Sequence, residues 1–195
     1  GATAHTLAHT ADIDDSEWDS AARGQTSGSS GLNEAIIRIF LRPMARQLAE
    51  LDSALSQHRF DVILADVHFL GVVALLLRDR DDRPAVLVYT PSPLTLSSRD
   101  TAPFGMALPP ARGQLGMIRN RVLNAFSHKV MLWPSQRTAN LILTEAGAEQ
   151  LPAFLLDAGV LADRYIVPTV PEFEYPRSDL PPNVRFVGAV HPRPQ

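Results

Sequence analysis

Apolar residues in the middle of the chain recur with the spacings of helices and of buried strands. Over residues 31–56 they repeat at steps of three and four, which predicts one helix, and Pro43 should kink it. Two runs of consecutive apolar residues, FDVILAD at 60–66 and AVLVY at 85–89, predict strands that are covered on both faces, as in a parallel sheet. The segment 67–78 predicts a helix, so that the two strands belong to one β-α-β unit.

The second half of the chain predicts further helices and strands around one long loop. Helices are predicted at 114–132 and 134–145, and short strands at 165–170 and 185–188. The loop at 90–116 is rich in proline, serine and glycine, and loops of that length inside a compact domain are usually functional. The alternation predicts an α/β fold with a Rossmann-like, open and mainly parallel sheet and flanking helices.

The helix predicted at 114–132 has the pattern of an amphipathic helix. Its apolar residues recur on one side at Met117, Val122, Phe126 and Val130. The basic residues of the same segment lie elsewhere around the helix, at Arg119, Arg121 and Lys129.

The composition of the chain excludes several classes of protein and several kinds of chemical site. A chain of 195 residues predicts one domain or slightly more, and its net charge of -3 and pI near 6.1 give no overall signal for nucleic acid or an anionic membrane. The absence of cysteine excludes disulfides, thiolate metal sites and thiol nucleophiles, and it fits a reducing, cytoplasmic location. The longest apolar stretch, 69–77, is too short to be a transmembrane helix.

The two ends of the sequence differ from the middle. Residues 1–30 are acidic and polar, which predicts a loop or a mobile arm. Seven of the 16 prolines lie beyond Tyr165, as in a linker, because proline stiffens extended segments. These features lead us to expect that both ends belong to something longer.

Candidate chemistry lies where the two predicted central strands end. Ligands of open α/β sheets bind outside the carboxyl ends of the strands, which here are followed by Asp66 and by Thr90. Asp66 could orient a catalytic histidine, or it could cap the following helix. His68 could be a base or a pocket-lining group, or an ordinary residue at a helix start.

Other common chemical motifs are missing from the sequence. It contains no G-x-G-x-x-G, no Walker-type G-K-[ST] and no G-x-S-x-G nucleophile elbow. His5 and His9 have the spacing of helical metal ligands, but their segment has no helix pattern and offers no third ligand beyond its acidic residues. No metal site is therefore expected.

Three stretches carry a family resemblance. They are FDVILADVHFLGVVALLLR at 60–78, YTPSPLTLSSRDTAPFGMALPPARG at 89–113 and FEYPRSDLPPNVRFVGAV at 173–190. In this order they resemble the N-terminal, acceptor-binding domain of bacterial UDP-glycosyltransferase-like enzymes, which are family 1 glycosyltransferases with the GT-B fold. The stretch SSRDTAPFG resembles an actinobacterial subgroup. The likeness covers about 31–190, and residues 191–195 would begin the interdomain linker.

The resemblance implies an inverting transfer of a hexose from a nucleotide-sugar to a hydroxyl group of a small-molecule or lipid acceptor. In that family a histidine base, held by an aspartate, deprotonates the acceptor, and Asp66 matches the aspartate. The residues that match the acceptor pocket are His68, Phe69, Thr90, Ser92, Phe104 and Met106. The resemblance implies no cofactor, because the nucleotide-sugar is a co-substrate.

The sequence also departs from the family pattern. The family's histidine base follows a first strand in a glycine-rich turn, and neither His5 nor His9 has that context. A C-terminal donor-binding domain is absent from these 195 residues, so that the chain alone should neither bind donor nor transfer sugar. The alternative is a non-catalytic small-molecule-binding or partner module derived from the acceptor lobe. A partial sheet would expose a strand edge, which leads us to expect a homodimer.

Overall fold

The structure, a computed structural model, describes residues 28–189 of the chain. Most of the expected acidic arm and all of the expected linker lie outside these residues, but residues 28–30 are helical rather than part of a loop. The regular elements, in chain order, are α1 (Gly28–Ile36), α2 (Met44–Gln57), β1 (Val62–Asp66), α3 (Gly71–Leu76), β2 (Ala85–Tyr89), α4 (Gly113–Phe126), α5 (Trp133–Glu145), β3 (Arg164–Val167) and β4 (Val184–Phe186). Short 3₁₀ helices cover Arg80–Asp82, Leu155–Leu161 and Pro171–Phe173.

The described residues divide into two compact units. The first is helical and comprises residues 28–61, 68–84 and 134–152. The second contains the sheet and comprises residues 62–67, 85–133 and 153–189.

In the first unit, the helix predicted at 31–56 is present and is interrupted where Pro43 requires it. A π-helical turn, Ile37–Leu41, follows α1, and α2 begins directly after the proline. The Arg42 amide donates to the Ile37 carbonyl, five residues back, over 2.9 Å. Proline has no amide hydrogen and clashes with the preceding turn, which explains why regular α-helical bonding stops there.

The helix α3 is shorter than the predicted 67–78. Val67 donates its amide to the Tyr89 carbonyl over 2.8 Å, so this residue continues the strand ladder and cannot enter a helix. Gly71, the first residue of α3, lies against α2, and a Cβ built on it would lie 2.5 Å from the Gln47 Cβ. The Gln47 Oε1 atom accepts a hydrogen bond from the Gly71 amide over 3.0 Å. Only glycine allows this close approach of two helices.

The second unit contains a four-stranded, all-parallel sheet in the order β1-β2-β3-β4. Its central strands carry the most deeply buried apolar side chains of the unit, among them Val86, Val88, Tyr165 and Val167. Parallel strands that alternate along the chain with helices confirm the predicted α/β fold with a Rossmann-like open sheet.

Three strands differ in their bounds from the sequence prediction, and prolines lie next to two of the differences. β1 begins at Val62 rather than at residue 60, and its partner Ala85 follows Pro84, which has no amide hydrogen for the ladder. β3 was expected at 165–170 but ends at Val167, before Pro168. β4, expected at 185–188, covers Val184–Phe186.

The helix predicted at 114–132 consists of two parts. α4 ends at Phe126, and a π-helical turn, Ser127–Met131, continues it. The next helix, α5, ends as expected, because Gly147 takes a positive φ of 76° there and accommodates the reversal of the chain. No helix within residues 28–189 is long and apolar enough to cross a membrane.

Candidate functional site

The carboxyl ends of β1, β2 and β3 meet at one edge of the sheet. Asp66 is the last residue of β1 and pairs in register with Tyr89, the last residue of β2. Thr90 follows, and its amide donates to the Ile166 carbonyl of β3 over 3.0 Å. The sheet therefore brings Asp66 and Thr90 to the edge at which open α/β sheets bind ligands.

Asp66 is not the cap of the following helix. The residue that precedes α3 is Leu70, and the side chain that accepts the first amide of the helix, at Gly71, is that of Gln47. The Asp66 side chain is exposed at the end of its strand. Of the two roles that the sequence left open, capping is wrong, while the catalytic role stays a prediction.

The turn after β2 is held by its own side chains. Thr90 is 2% exposed, and its hydroxyl bonds to the Ser92 hydroxyl over 3.1 Å and to the Ser92 carbonyl over 3.2 Å. Burial raises the pKa of the neighbouring Tyr165 to about 12, although its hydrogen bond with Thr90 acts in the opposite direction. Thr90 is thus fixed in the structure of the turn, and Ser92 is the more accessible of the two.

His68 and Phe69 belong to the other unit. The His68 imidazole is half-buried and stacks on Phe40, with ring centres 5.1 Å apart and an interplanar angle of 22°. Phe69 is also half-buried, and its carbonyl accepts the amide of Val72 over 3.2 Å. Their place in an acceptor pocket stays a prediction.

Phe104 and Met106 lie on a loop that is closed at its base. The Ala111 amide donates to the Asp100 carbonyl over 2.7 Å, which joins the two ends of this loop. Gly105, between the two predicted residues, has a positive φ of 85°, and the Phe104 side chain is 58% exposed. The loop therefore presents an aromatic side chain to its surroundings.

A cluster of polar contacts that the sequence did not reveal fixes the start of this loop. We call residues 174–179 the tail clamp. Its Arg177 donates to the carbonyls of Leu94 (2.9 Å) and Leu96, and its Glu174 accepts the amide of Leu94 over 3.0 Å. The partners lie about eighty residues apart, and no spacing rule connects positions at that distance.

The next residues of the loop bind the same clamp. Asp179 accepts the Ser98 hydroxyl over 2.6 Å and the Arg99 amide over 2.9 Å. Ser178 donates its hydroxyl to the Asp100 carboxylate over 2.6 Å and its amide over 2.5 Å. These hydrogen bonds hold the pKa of Asp100 below its ordinary value, because they favour the charged carboxylate.

A second polar cluster surrounds His128. Its imidazole stacks on Phe154 with centres 3.9 Å apart, and its Nε2 lies 2.8 Å from the Ser97 hydroxyl. The Ser97 amide donates to the Asp157 carboxylate over 2.7 Å. Burial lowers the pKa of His128 below 6.5, and the charge of Asp157 opposes this shift.

We expect His128 to make the fold sensitive to mildly acidic pH. Because the folded state holds this proton less tightly than the unfolded state, stability should be fully present above 6.5 and should decline as the pH falls from there through the lowered pKa. Urea unfolding midpoints between about pH 7.5 and about pH 5 should fall for the wild type and stay flatter for His128→Gln. His58→Gln, at an exposed histidine, is the control; equal slopes in all three proteins would contradict the assignment.

Within the described part of the chain, no group of three or more histidine or acidic side chains is arranged to hold a metal ion.

Comparison with known proteins shows to which enzymes the chain is related. No protein-family model matches the chain. The chain is 36% identical over 170 residues to 4'-demethylrebeccamycin synthase of Lentzea aerocolonigenes, an alignment that covers 86% of this chain and 40% of that protein. It is 35% identical over 133 residues to UDP-glycosyltransferase 2 of Phaeomoniella chlamydospora, with coverage of 67% and 29%. It is 31% identical over 178 residues to UDP-glucosyltransferase 1 of Beauveria bassiana, with coverage of 83% and 39%.

The chain is thus a relative of UDP-glycosyltransferases over most of its own length. It spans between 29% and 40% of the length of these curated relatives. The relationship agrees with the family resemblance of the three sequence stretches.

Proposed function

We propose that the chain is the acceptor-binding part of a nucleotide-sugar-dependent glycosyltransferase with the GT-B fold. The observation that carries the proposal is the exposed carboxylate of Asp66 at the carboxyl edge of a parallel sheet, in a chain related to UDP-glycosyltransferases. An alternative, a non-catalytic module derived from an acceptor lobe, is less favoured because the relatives carry the names of enzymes.

In the proposed reaction, the oxygen of an acceptor hydroxyl attacks the anomeric carbon of the sugar. The hydroxyl proton passes to a histidine base that Asp66 orients, and the nucleoside diphosphate leaves with the electrons of the broken bond. Attack from the face opposite the leaving group inverts the anomeric centre. Asp66 acts here by holding the base in its productive orientation and by stabilising the positive charge that develops on it.

The acceptor would lie between the turn at 90–92 and the loop that carries Phe104 and Met106. That His68 and Phe69 bind the acceptor as well stays a prediction from the sequence resemblance. The tail clamp supports this assignment, since it fixes the start of that loop. A further domain of the parent protein would bind the nucleotide-sugar, and the 195-residue chain alone would be inactive. An actinobacterial origin and a cytoplasmic location belong to the same proposal.

The test is a transfer assay with the protein that contains this chain. UDP-glucose and a panel of hydroxyl-bearing aglycones should give aglycone-dependent release of UDP, and proton NMR should show that the product has the inverted anomeric configuration. Aglycone binding without any UDP release, across a panel of nucleotide-sugars, would favour the non-catalytic module instead.

We also propose that the chain forms a homodimer through β1. Within the described sheet, β1 pairs with β2 alone, and two of its side chains on one face, Val62 and Leu64, are 53% and 66% exposed. An open strand edge is a template for pairing with another copy, and a lysine at such an edge opposes pairing. Leu64→Lys should therefore convert a dimer to a monomer in sedimentation velocity, whereas Leu32→Lys, at an exposed leucine of α1, should not. A wild-type protein that is monomeric throughout the micromolar range would contradict this.

A further inference from the structure

The apolar side of α4 faces outward. Its large apolar side chains recur at steps of three and four and continue through the following π-helical turn. We call them the apolar stripe: they are Leu115, Ile118, Val122, Phe126 and Val130, with exposures of 83%, 57%, 61%, 48% and 59%. A contiguous row of exposed apolar side chains on a helix of a globular protein marks an interaction surface.

The opposite side of the same helix is polar and buried. Asn120 is fully buried, and its amide group donates to the Arg99 carbonyl over 3.1 Å. Asn124 donates to the carbonyls of Ser98 (3.0 Å) and Thr101 (3.3 Å). A rotation of α4 that buried the apolar stripe would break these bonds and leave buried amides without partners. The outward direction of the stripe is therefore fixed by the fold.

The charged residues of the segment that carries the apolar stripe have one sign. From Thr101 to Trp133 the sequence contains four basic residues and no aspartate or glutamate, whereas the rest of the chain contains 14 basic and 21 acidic residues. Arg121 and Lys129, the only lysine of the chain, are both exposed in this segment. The overall charge of -3 therefore does not describe this segment, which is locally basic.

We propose that the apolar stripe and its flanking basic residues dock on the surface of an anionic lipid bilayer. From Leu115 to Val130 the stripe extends about 22 Å at the α-helical rise, and its aliphatic and aromatic side chains would enter the boundary between headgroups and acyl chains. Arg121 and Lys129 would bind anionic headgroups. We favour a bilayer over a protein groove because the basic segment complements the negative charge of anionic lipids. The rest of the chain has more acidic than basic residues, so its repulsion from the same lipids would orient the protein on the surface.

This inference does not depend on the glycosyltransferase proposal, and neither does its test. Flotation with vesicles of equal parts phosphatidylcholine and phosphatidylglycerol should carry the wild-type protein, and vesicles of phosphatidylcholine alone should carry far less. Binding should fall steeply as salt is added, because surface attraction is screened. The double variant Arg121→Glu/Lys129→Glu should lower the partition coefficient about thirtyfold or more.

A second double variant tests the apolar contribution. Val122→Glu/Phe126→Glu should lower partitioning by about a hundredfold or more, since each change places a charge where an apolar side chain enters the bilayer. Matched controls are Val170→Glu/Phe173→Glu, at exposed apolar side chains outside the segment, and Arg46→Glu/Arg59→Glu, at exposed arginines of the other unit. All variants change exposed side chains, and thermal melts should confirm that they fold.

Three outcomes would overturn the proposal. The first is a wild type that fails to float with anionic vesicles or that floats equally well with neutral ones. The second is a loss of binding in the control variants as large as that in the stripe variants. The third is a wild-type dimer in sedimentation that Val122→Glu/Phe126→Glu converts to a monomer, which would show that a second copy of the chain covers the stripe.

Discussion

Replacing Asp66 by asparagine should lower kcat/KM for sugar transfer about a hundredfold or more, in line with the loss of a group that orients a general base. Asparagine keeps the size of the side chain and removes its charge. The side chain is exposed at the end of β1, and Leu70 rather than Asp66 occupies the N-cap position of α3. A thermal melt of the variant separates any change in stability from the change in activity. The measurement is a steady-state assay of the parent protein with a saturating nucleotide-sugar and varied aglycone.

A matched control for this substitution lies in the same region of the chain. Asp61→Asn changes another exposed carboxylate, which directly precedes β1, whereas Asp66 is the last residue of that strand. It should leave kcat/KM within about threefold of the wild type, since surface substitutions away from a site have small effects. Activity of Asp66→Asn in that same range would remove Asp66 from the mechanism, while the transfer assay with the unchanged protein would still test the class of enzyme.

Replacing Arg177 by methionine should lower the free energy of unfolding by about 2 to 4 kcal/mol, because hydrogen bonds to charged groups contribute more than neutral ones and their buried acceptors would lose a donor. Arg177 donates to the carbonyls of Leu94 and Leu96 and lies near Glu174 and Asp179. Burial lowers its pKa, and the neighbouring carboxylates oppose this shift. Methionine preserves much of the apolar volume of the side chain, so that the loss reports mainly on the guanidinium.

Urea unfolding measures this loss, and hydrogen exchange locates it. Amides of the loop at 94–100 should exchange faster in Arg177→Met, since the tail clamp holds them. Arg185→Met is the control, because Arg185 is exposed and, among the residues that the structure describes, donates to the nearby carbonyls of Pro182 and Val184. An Arg177→Met protein within about 0.5 kcal/mol of the wild type, as for an ordinary surface change, would show that the clamp does not fix the loop.

Local patterns predicted much of the fold because they depend on neighbouring residues. The strands β1 and β2 follow from continuous apolar runs, which also favour a parallel sheet. The expected cover on both faces is wrong for β1, because Val62 and Leu64 on one of its faces are exposed. The interruption at Pro43 follows from the missing amide hydrogen. The shortened α3 did not follow, because the bond from Val67 to Tyr89 depends on the pairing of two strands.

The periodicity of apolar residues does not indicate which side of α4 is buried. The sequence gives the spacing of Val122, Phe126 and Val130, but the same spacing describes a buried face and an exposed one. Which side is covered depends on Asn120 and Asn124, whose partners belong to a loop some twenty residues earlier. A polar residue type alone does not indicate that its side chain will be buried.

The sequence predicted the sheet edge at which the candidate residues lie, but it did not predict the long-range contacts that fix the neighbouring loop. A carboxylate at the end of an apolar strand marks Asp66, and the rule for open sheets marks the same edge. The tail clamp has no counterpart in any local pattern, because Arg177 and Asp179 bind positions about eighty residues away. Such contacts emerge only once the strands between them have been placed side by side.

The most direct test of the account is to locate the bound acceptor. An aglycone identified by the transfer assay, fitted with a photoreactive diazirine, would be cross-linked to the parent protein, and the labelled peptides would be identified by mass spectrometry. We expect label on peptides that contain Asp66 to Phe69 and Ser92 to Met106. Label confined to other parts of this chain, such as α2, with those peptides unmodified, would contradict an acceptor site at the carboxyl edge of the sheet.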